Sequence, residues 1–475
     1  MSVRDGVRQV WRRPRFRRLT LIKLLSQSGD GLIQVGVASH TLLSPERQPD
    51  AWAIAGVLAV TMLPFSVLGP FVSVVIDRLD RRRTILTADA ARTALSLVLA
   101  ALVLFHTRGH HHGPGGVGPL LLVALVVMGL ERFQVATLMA GLPRTIDQDE
   151  YLAANSVLPL IGPLGVMVGA AVAAGVRLSV GRLASATTAD ALIFALAAVA
   201  FAASVTLCLG FAPRSLGPDR AVAHRLGQTL RDLGAALGHL AGRRPAALAV
   251  VMVTAMRLVF GFVTVGVILV YRNHLHAAAQ VDAAVGDLAL WVLATGAGFV
   301  LASAVNPFLV RRLGLRATVV AVLAAAAVNQ ALPGSIFTRP ALVVAGCLLG
   351  LWAQCLKINA DTLVQAHVDD AFKGRVLVIY DLAFNTPLVL AGLLAALVLP
   401  ADGASKVAFL SCAGIYLLLS LGFAWQSSAI GRGNFTKGTE SVTGQPSDRP
   451  GRPAGQSPPD QPPPDHLGSP PEPDS

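Results

Sequence analysis

Ten ionisable side chains stand inside stretches that are otherwise apolar: Lys23, Asp30, Asp89, Arg92, Glu131, Arg132, Arg257, Lys357, Asp361 and Asp381. A charge in hydrocarbon costs at least ~2.5–3.5 kcal/mol on insertion scales, so such groups persist where they pair, bind an ion or move a proton. Helical spacing groups them further. Lys23, Gln27, Asp30 and Gln34 recur at three- and four-residue steps and share one stripe. Thr254, Arg257, Gly261 and Thr264 form a second stripe, and Gln354, Lys357 and Asp361 a third. Burial and a neighbouring guanidinium act on a carboxylate in opposite senses, so a group poised between them loads and releases protons. Asp30 is therefore read as the proton carrier, with Glu131 as the alternative, and Arg132 and Arg257 as tuning or substrate-binding groups. The competing reading is a static ion pair, such as Asp30 with Arg132.

Other chemistry finds no support. There is no G-x-x-x-x-G-K-[ST] phosphate loop, no G-x-S-x-G and no H-E-x-x-H, so neither an enzyme nor a cofactor is expected. Cys208, Cys347, Cys355 and Cys412 all lie in apolar runs and read as small core residues. His106 and the run His110, His111, His112 have no carboxylate or Cys beside them and read as a solvated loop, so no metal is expected.

The elements that must position these charges are membrane-crossing helices. Of 475 residues, 53% are hydrophobic and 14% charged, against roughly 25% charged in soluble domains, and the mean hydropathy is +0.61. Apolar runs of about 20 residues match the ~30 Å of hydrocarbon, and the ~10-residue alternation of a membrane β-barrel is missing from the sequence. Twelve spans are read, at about 19–43, 52–76, 84–105, 119–141, 151–176, 188–211, 247–271, 288–310, 317–337, 341–361, 376–400 and 406–428. Lys and Arg are several-fold more frequent in the loops on the side of the N-terminus, which puts both termini in the cytoplasm. The net charge of +12 is thus a topology signal, and no nucleic-acid partner is expected. The polar stripe and the lack of a small-residue cleavage pattern argue against a removed leader.

The expected organisation is a basic N-terminus (1–18), a first six-helix bundle (19–211), a cytoplasmic linker (212–246) with a helix near 228–240, a second bundle (247–428) and a disordered Pro-rich tail (429–475). Arg78, Leu79 and Arg82 align with Arg312, Leu313 and Arg316 at one constant separation of 234 residues. A repeat of half the membrane portion predicts an all-α polytopic membrane protein of twelve transmembrane helices in two pseudo-symmetric bundles, with a substrate site between them. Helices 1, 4, 7 and 10 of that arrangement carry seven of the ten buried charges.

Asp77, Arg78, Arg81 and Arg82 between the second and third spans match the G-x-x-x-D-R-x-G-R-R loop of the major facilitator superfamily, which this chain resembles over about residues 15–430. Ser73 and Asp80 replace the two glycines of that pattern; Asp tolerates left-handed backbone better than most residues. By this resemblance Asp77 meets the start of the eleventh helix and, with the arginine cluster, latches the halves in the outward-open state, near Asp89, Arg92 and Asp381. Gly162, Pro163 and Gly165 in the fifth span look like the G-P-x-x-G-G motif of antiporters. Leu25–Gly31, Leu142–Ile146 with Ala153–Asn155, and Gly374–Val376 look like the branch that holds the enterobactin exporter and macrolide efflux pumps. The resemblance implies a secondary transporter of the bacterial cytoplasmic membrane, a monomer, exporting a small amphipathic or hydrophobic compound against protons. The rival expectations are an importer of a nutrient or siderophore, and a transport-silent membrane scaffold.

Overall fold

The computed structural model describes residues 10–42, 51–67, 79–106, 118–147, 151–217, 226–277, 280–430 and Phe435. Among these the regular elements are helical, with no strand. In chain order they are α1 (Pro14–Leu42), α2 (Ala51–Val67), α3 (Arg81–His106), α4 (Gly118–Gly141), α5 (Tyr151–Leu183), α6 (Ala186–Leu209), α7 (Leu226–Gly242), α8 (Arg244–Leu269), α9 (Val281–Leu313), α10 (Leu315–Ala331), α11 (Arg339–His367), α12 (Asp370–Val398) and α13 (Lys406–Ile430). Each stretch read as a span overlaps one of these helices, and α7 falls in the linker.

Nine of the described helices carry a window long and apolar enough to cross a membrane, and Ala51–Met62 and Leu315–Ala331 are shorter apolar helices. Helix α1 is long, but the Lys, Gln and Asp of its polar stripe dilute its apolarity. Outward-facing apolar side chains are frequent, Met167, Leu293, Leu418 and Trp425 among them, as expected of helices solvated by lipid.

Local chemistry sets the ends. Ser185 caps α6 by accepting the Thr188 N–H at 3.1 Å. Gly314 (φ 77°) forms the turn between α9 and α10, a conformation that suits glycine. Its repeat partner is Asp80, and here the left-handed expectation is corrected: the described residues at positive φ are Arg214 and three glycines. Asp80 instead caps α3, its Oδ1 accepting the Arg82 N–H at 3.0 Å.

Three apolar cores organise the helices. One joins Val10, Phe16, Leu19, Ile22, Ile85, Leu138 and Phe211, at the chain-terminal ends of α1, α3, α4 and α6. A second runs through α7–α13. The third lies at the opposite end and crosses between the halves, packing Val265, Leu269, Ala395, Leu399 and Ala408 with Ile33, Val37, Ile54 and Val57. There Gly392 of α12 lies against Ala55 of α2, where an added Cβ would meet the Ala55 Cα at 3.0 Å. The halves thus share an apolar core at the end away from the termini.

Helix α7 is bound to the second half. Asp232 of α7 pairs with Arg375 of α12 at 3.4 Å, the His239 ring stacks on Phe372 with centroids 4.4 Å apart, and just beyond the helix Arg243 donates through Nη2 to both Asp369 carboxylate oxygens (2.9 and 2.7 Å).

Candidate functional site

The buried charges of the first half form one connected network. Arg92 of α3 and Asp30 of α1 are wholly buried and ion-paired. Arg92 Nη1 also reaches Asp89 Oδ1, one turn back on α3, at 3.0 Å, and donates to Ser26 Oγ at 2.7 Å. Asp89 accepts the hydroxyls of Ser26 (3.1 Å) and of Ser204 on α6 (2.5 Å). The guanidinium stacks over the Phe201 ring, 3.9 Å from its centroid, a favourable cation–π geometry. Two carboxylates therefore share one guanidinium in a site closed to water.

From this triad the network continues to α4. Gln27 Nε2 donates to Asp30 Oδ2 (2.7 Å) and to Glu131 Oε1 (3.2 Å), and Glu131 Oε1 pairs with Arg132 Nη2 at 3.3 Å. Glu131 Oε2 is buried without a hydrogen-bond partner among the described residues. Arg132 and Asp381 of α12 are close enough to feel each other's charge, which extends the chain of charges from α3 to the second half.

The glycines of α5 make room for this arrangement. At Gly165 an added Cβ would lie 2.8 Å from both Gln27 Cβ and the Leu24 carbonyl, and at Gly162 it would lie 3.5 Å from Lys23 Cε. Gly169 and Gly31 press against main-chain atoms of the facing helix in the same way. Small residues let two helix backbones approach, which presses the polar stripe of α1 against α5. Lys23 is buried there, its Nζ donating to the Leu158 carbonyl at 2.8 Å.

The second half holds separate groups. Lys357 and Asp361 pair within α11 at 2.6 Å, and Arg257 Nε donates to the Phe384 carbonyl at 3.1 Å. Pro387 of α12 has no N–H for the carbonyl of residue 383, the neighbour of the Phe384 carbonyl that Arg257 uses.

Placement departs from the sequence reading in two respects. Asp30 pairs with Arg92, not Arg132. Asp89 and Arg92, grouped with the gate, belong to the same network as Asp30. Arg81 and Arg82 bind within their own half: Arg81 Nη1 to the Ala140 and Leu216 carbonyls, both 3.0 Å, and Arg82 Nη2 to the Leu209 carbonyl at 3.4 Å. Gln34 is half-buried and is not hydrogen-bonded into the network. Asp77, Arg78, Ser73, His110–His112 and nearly all of the tail lie outside the described residues. The four cysteines are free, and no cluster of metal-ligating side chains occurs among the described residues.

Sequence reasoning missed Ser26, Ser204 and Phe201, and it missed a second buried carboxylate site. Asp190 of α6 accepts Ser39 Oγ at 2.6 Å and faces His40 Nδ1 (3.3 Å) and Arg177 Nε (3.8 Å). An acid near the start of α6 reads as a surface residue, and only the facing ends of α1 and α5 reveal otherwise. The buried amides of Asn306 and Asn359, which bond each other reciprocally at 3.2 and 2.9 Å, left no signal of pairing.

Comparison with known proteins decides the family. No family model matches the chain. It is 34% identical over 418 residues to two uncharacterized MFS-type transporters, from Mycobacterium bovis and Mycobacterium tuberculosis, with 86% of this chain and 91% of each relative covered. The chain belongs to the major facilitator superfamily. Solved structures agree at the level of fold. A nucleoside transporter, NupG, is similar with TM-score 0.63 at 13% identity, covering 88% of this chain and 100% of that one. A peptide transporter, POT, gives 0.60 at 13% identity, covering 88% and 95%. As a superfamily member with nine apolar membrane-length helices among its described residues, the chain is an integral membrane protein.

Proposed function

We propose that this superfamily member is a monomeric, twelve-span secondary transporter of the bacterial cytoplasmic membrane. It exports a small amphipathic compound in exchange for protons, with both termini in the cytoplasm. The observation that carries the reading is the buried chain of Asp89, Arg92, Asp30, Gln27, Glu131 and Arg132 across α3, α1 and α4. A pure anchor needs one carboxylate per guanidinium. With both carboxylates ionised the triad holds one excess negative charge, and a single proton neutralises it.

The mechanism follows from the packing. The shared apolar core closes the halves at the end away from the termini, and the chain-terminal ends of the two halves are packed in separate cores. This supports an inward-facing state. Residues 19–211 then rock against 247–428 to open the other side. A proton arriving from outside neutralises the Asp30–Asp89 pair or Glu131, which alters the hold of Gln27 and Arg132 and, through Asp381, the fit of the second half. Each proton that crosses 100 mV supplies ~2.3 kcal/mol.

Direction and energy source are tested together in inverted membrane vesicles given a labelled panel of lipophilic cations, macrolides, siderophores and organic anions. Accumulation that a protonophore abolishes supports proton-driven export. Accumulation only in right-side-out vesicles would make the protein an importer, and no label movement in either orientation would remove the transport reading.

A further inference from the structure

Lys23 and Arg257 occupy matching places, 234 residues apart like the two copies of the loop motif. Each donates to a main-chain carbonyl on the fifth helix of its own half, Lys23 to Leu158 on α5 and Arg257 to Phe384 on α12. Neither has a carboxylate within ion-pair distance among the described residues. Their surroundings differ. Lys23 is buried, 4% exposed, whereas Arg257 is only partly buried.

The guanidinium of Arg257 is held in one pose. Its Nε is spent on the Phe384 carbonyl, and its carbon lies 4.0 Å from the Phe384 ring centroid and 5.6 Å from that of Phe260. The two terminal nitrogens make no hydrogen bond to the described residues. They form a planar pair of donors with the spacing of a carboxylate or phosphate edge. Lys357 Nζ lies 5.0 Å from the same Phe384 ring and 5.0 Å from Tyr380. An apolar aromatic surface thus adjoins the open donor fork.

A cation inside a membrane protein is held by a counter-ion or by backbone carbonyls. Among the described residues a carboxylate pairs with Arg92, Arg132 and Lys357, but none with Lys23 or Arg257; Lys23 is closed off on its carbonyl, whereas Arg257 keeps its two terminal nitrogens for a ligand. We infer that the transported compound brings the counter-ion of Arg257: the substrate is an amphipathic organic anion whose carboxylate or phosphate seats on Arg257, with its apolar or aromatic body against Phe384 and Phe260. This rests on the transport reading above and narrows it to a substrate class. The pairing of Lys357 with Asp361 leaves Arg257 as the anchor on that side.

The test uses the purified full chain in detergent and measures binding of phenylalkanoates, from phenylacetate to phenyloctanoate, beside their amides, their amines and phenyl phosphate. Wild type is compared with Arg257→Gln and Arg257→Lys. Oxyanions are expected to bind at least about ten-fold tighter than the matched amides. Arg257→Gln is expected to weaken oxyanion binding roughly ten- to a hundred-fold, the range for a lost hydrogen bond to a charged group, while amide binding stays unchanged. Arg257→Lys retains part of the preference, and the carboxylate and phosphate arms identify the head group. Amides binding as tightly as acids, no binding by any oxyanion, or an oxyanion preference surviving in Arg257→Gln would overturn the inference. The two readings fail separately. Oxyanion-selective binding without coupled proton movement would retain the Arg257 site and remove the proton-coupled reading. Proton flux driven equally by neutral compounds and anions would do the reverse.

Discussion

Replacing Arg92 by Gln strikes the point on which the buried network depends. The guanidinium is wholly buried between Asp30 and Asp89. At the 3.0 Å separation from Asp89 and an effective permittivity of ~20, that attraction alone is about 5.5 kcal/mol. Desolvation opposes it, so the net cost of removing one partner of a buried pair is ~3–5 kcal/mol. Here two carboxylates lose the same partner, and the stack on Phe201 goes with it, worth a further ~0.5–2 kcal/mol. The expected loss is therefore about 5 kcal/mol, a large share of the stability of a folded protein. It is read from an SDS-titration unfolding curve in mixed micelles, followed by tryptophan fluorescence. Two further arms separate charge from packing. Adding Asp30→Asn to Arg92→Gln leaves Asp89 with its Ser26 and Ser204 hydroxyls, so the double variant is expected to be more stable than Arg92→Gln alone. Acid also restores stability to the single variant, because its folded state takes up a proton at the orphaned carboxylates and is favoured as pH falls. An Arg92→Gln protein within about 1 kcal/mol of wild type would refute the reasoning, as would an Asp30→Asn change that adds a loss of its own.

Further outcomes follow from particular contacts. Gly169→Leu, set against the Ser28 main chain, is expected to cost at least ~1–3 kcal/mol through overpacking between α5 and α1, seen as a lower unfolding midpoint. Gly392→Leu pushes α12 from α2 at Ala55, so a Val57→Cys probe should react faster with an impermeant maleimide applied to whole cells; unchanged labelling would contradict the shared core's role as the closed end. Arg243→Ala breaks an ion pair between half-exposed side chains and should cost less than ~1 kcal/mol, with a double-mutant cycle against Asp369→Ala giving the coupling.

Much of the fold was legible because a membrane-crossing helix announces itself by length and apolarity, and the sequence read its stretches close to where α1–α13 lie. The stripe of Lys23, Gln27 and Asp30 was legible for a similar reason, since three- and four-residue spacing places residues on one face. What spacing does not carry is which helix stands opposite. Asp30 meets Arg92 because α1 and α3 face each other, and Ser204 and Phe201 join from α6; a lone Ser and a Phe in an apolar helix give no warning of this. Arg81 and Arg82 read from their motif as part of a latch of the outward-open state, whereas their carbonyl partners in this structure, Ala140, Leu209 and Leu216, follow from how α4 and the segment after α6 return to the same end. Asp190 stood at a helix start, where an acid is ordinary, and gained its meaning from His40, Ser39 and Arg177 on other helices.

Proton uptake by the buried chain is the central claim, and proton flux measures it most directly. The full chain is placed in liposomes with an internal pH dye, a membrane potential is imposed, and the compound panel is added to wild type, Asp30→Asn and Glu131→Gln. The account predicts compound-triggered acidification in wild type that Asp30→Asn lacks, with folding intact by unfolding midpoint. Flux of wild-type size in both variants would contradict it.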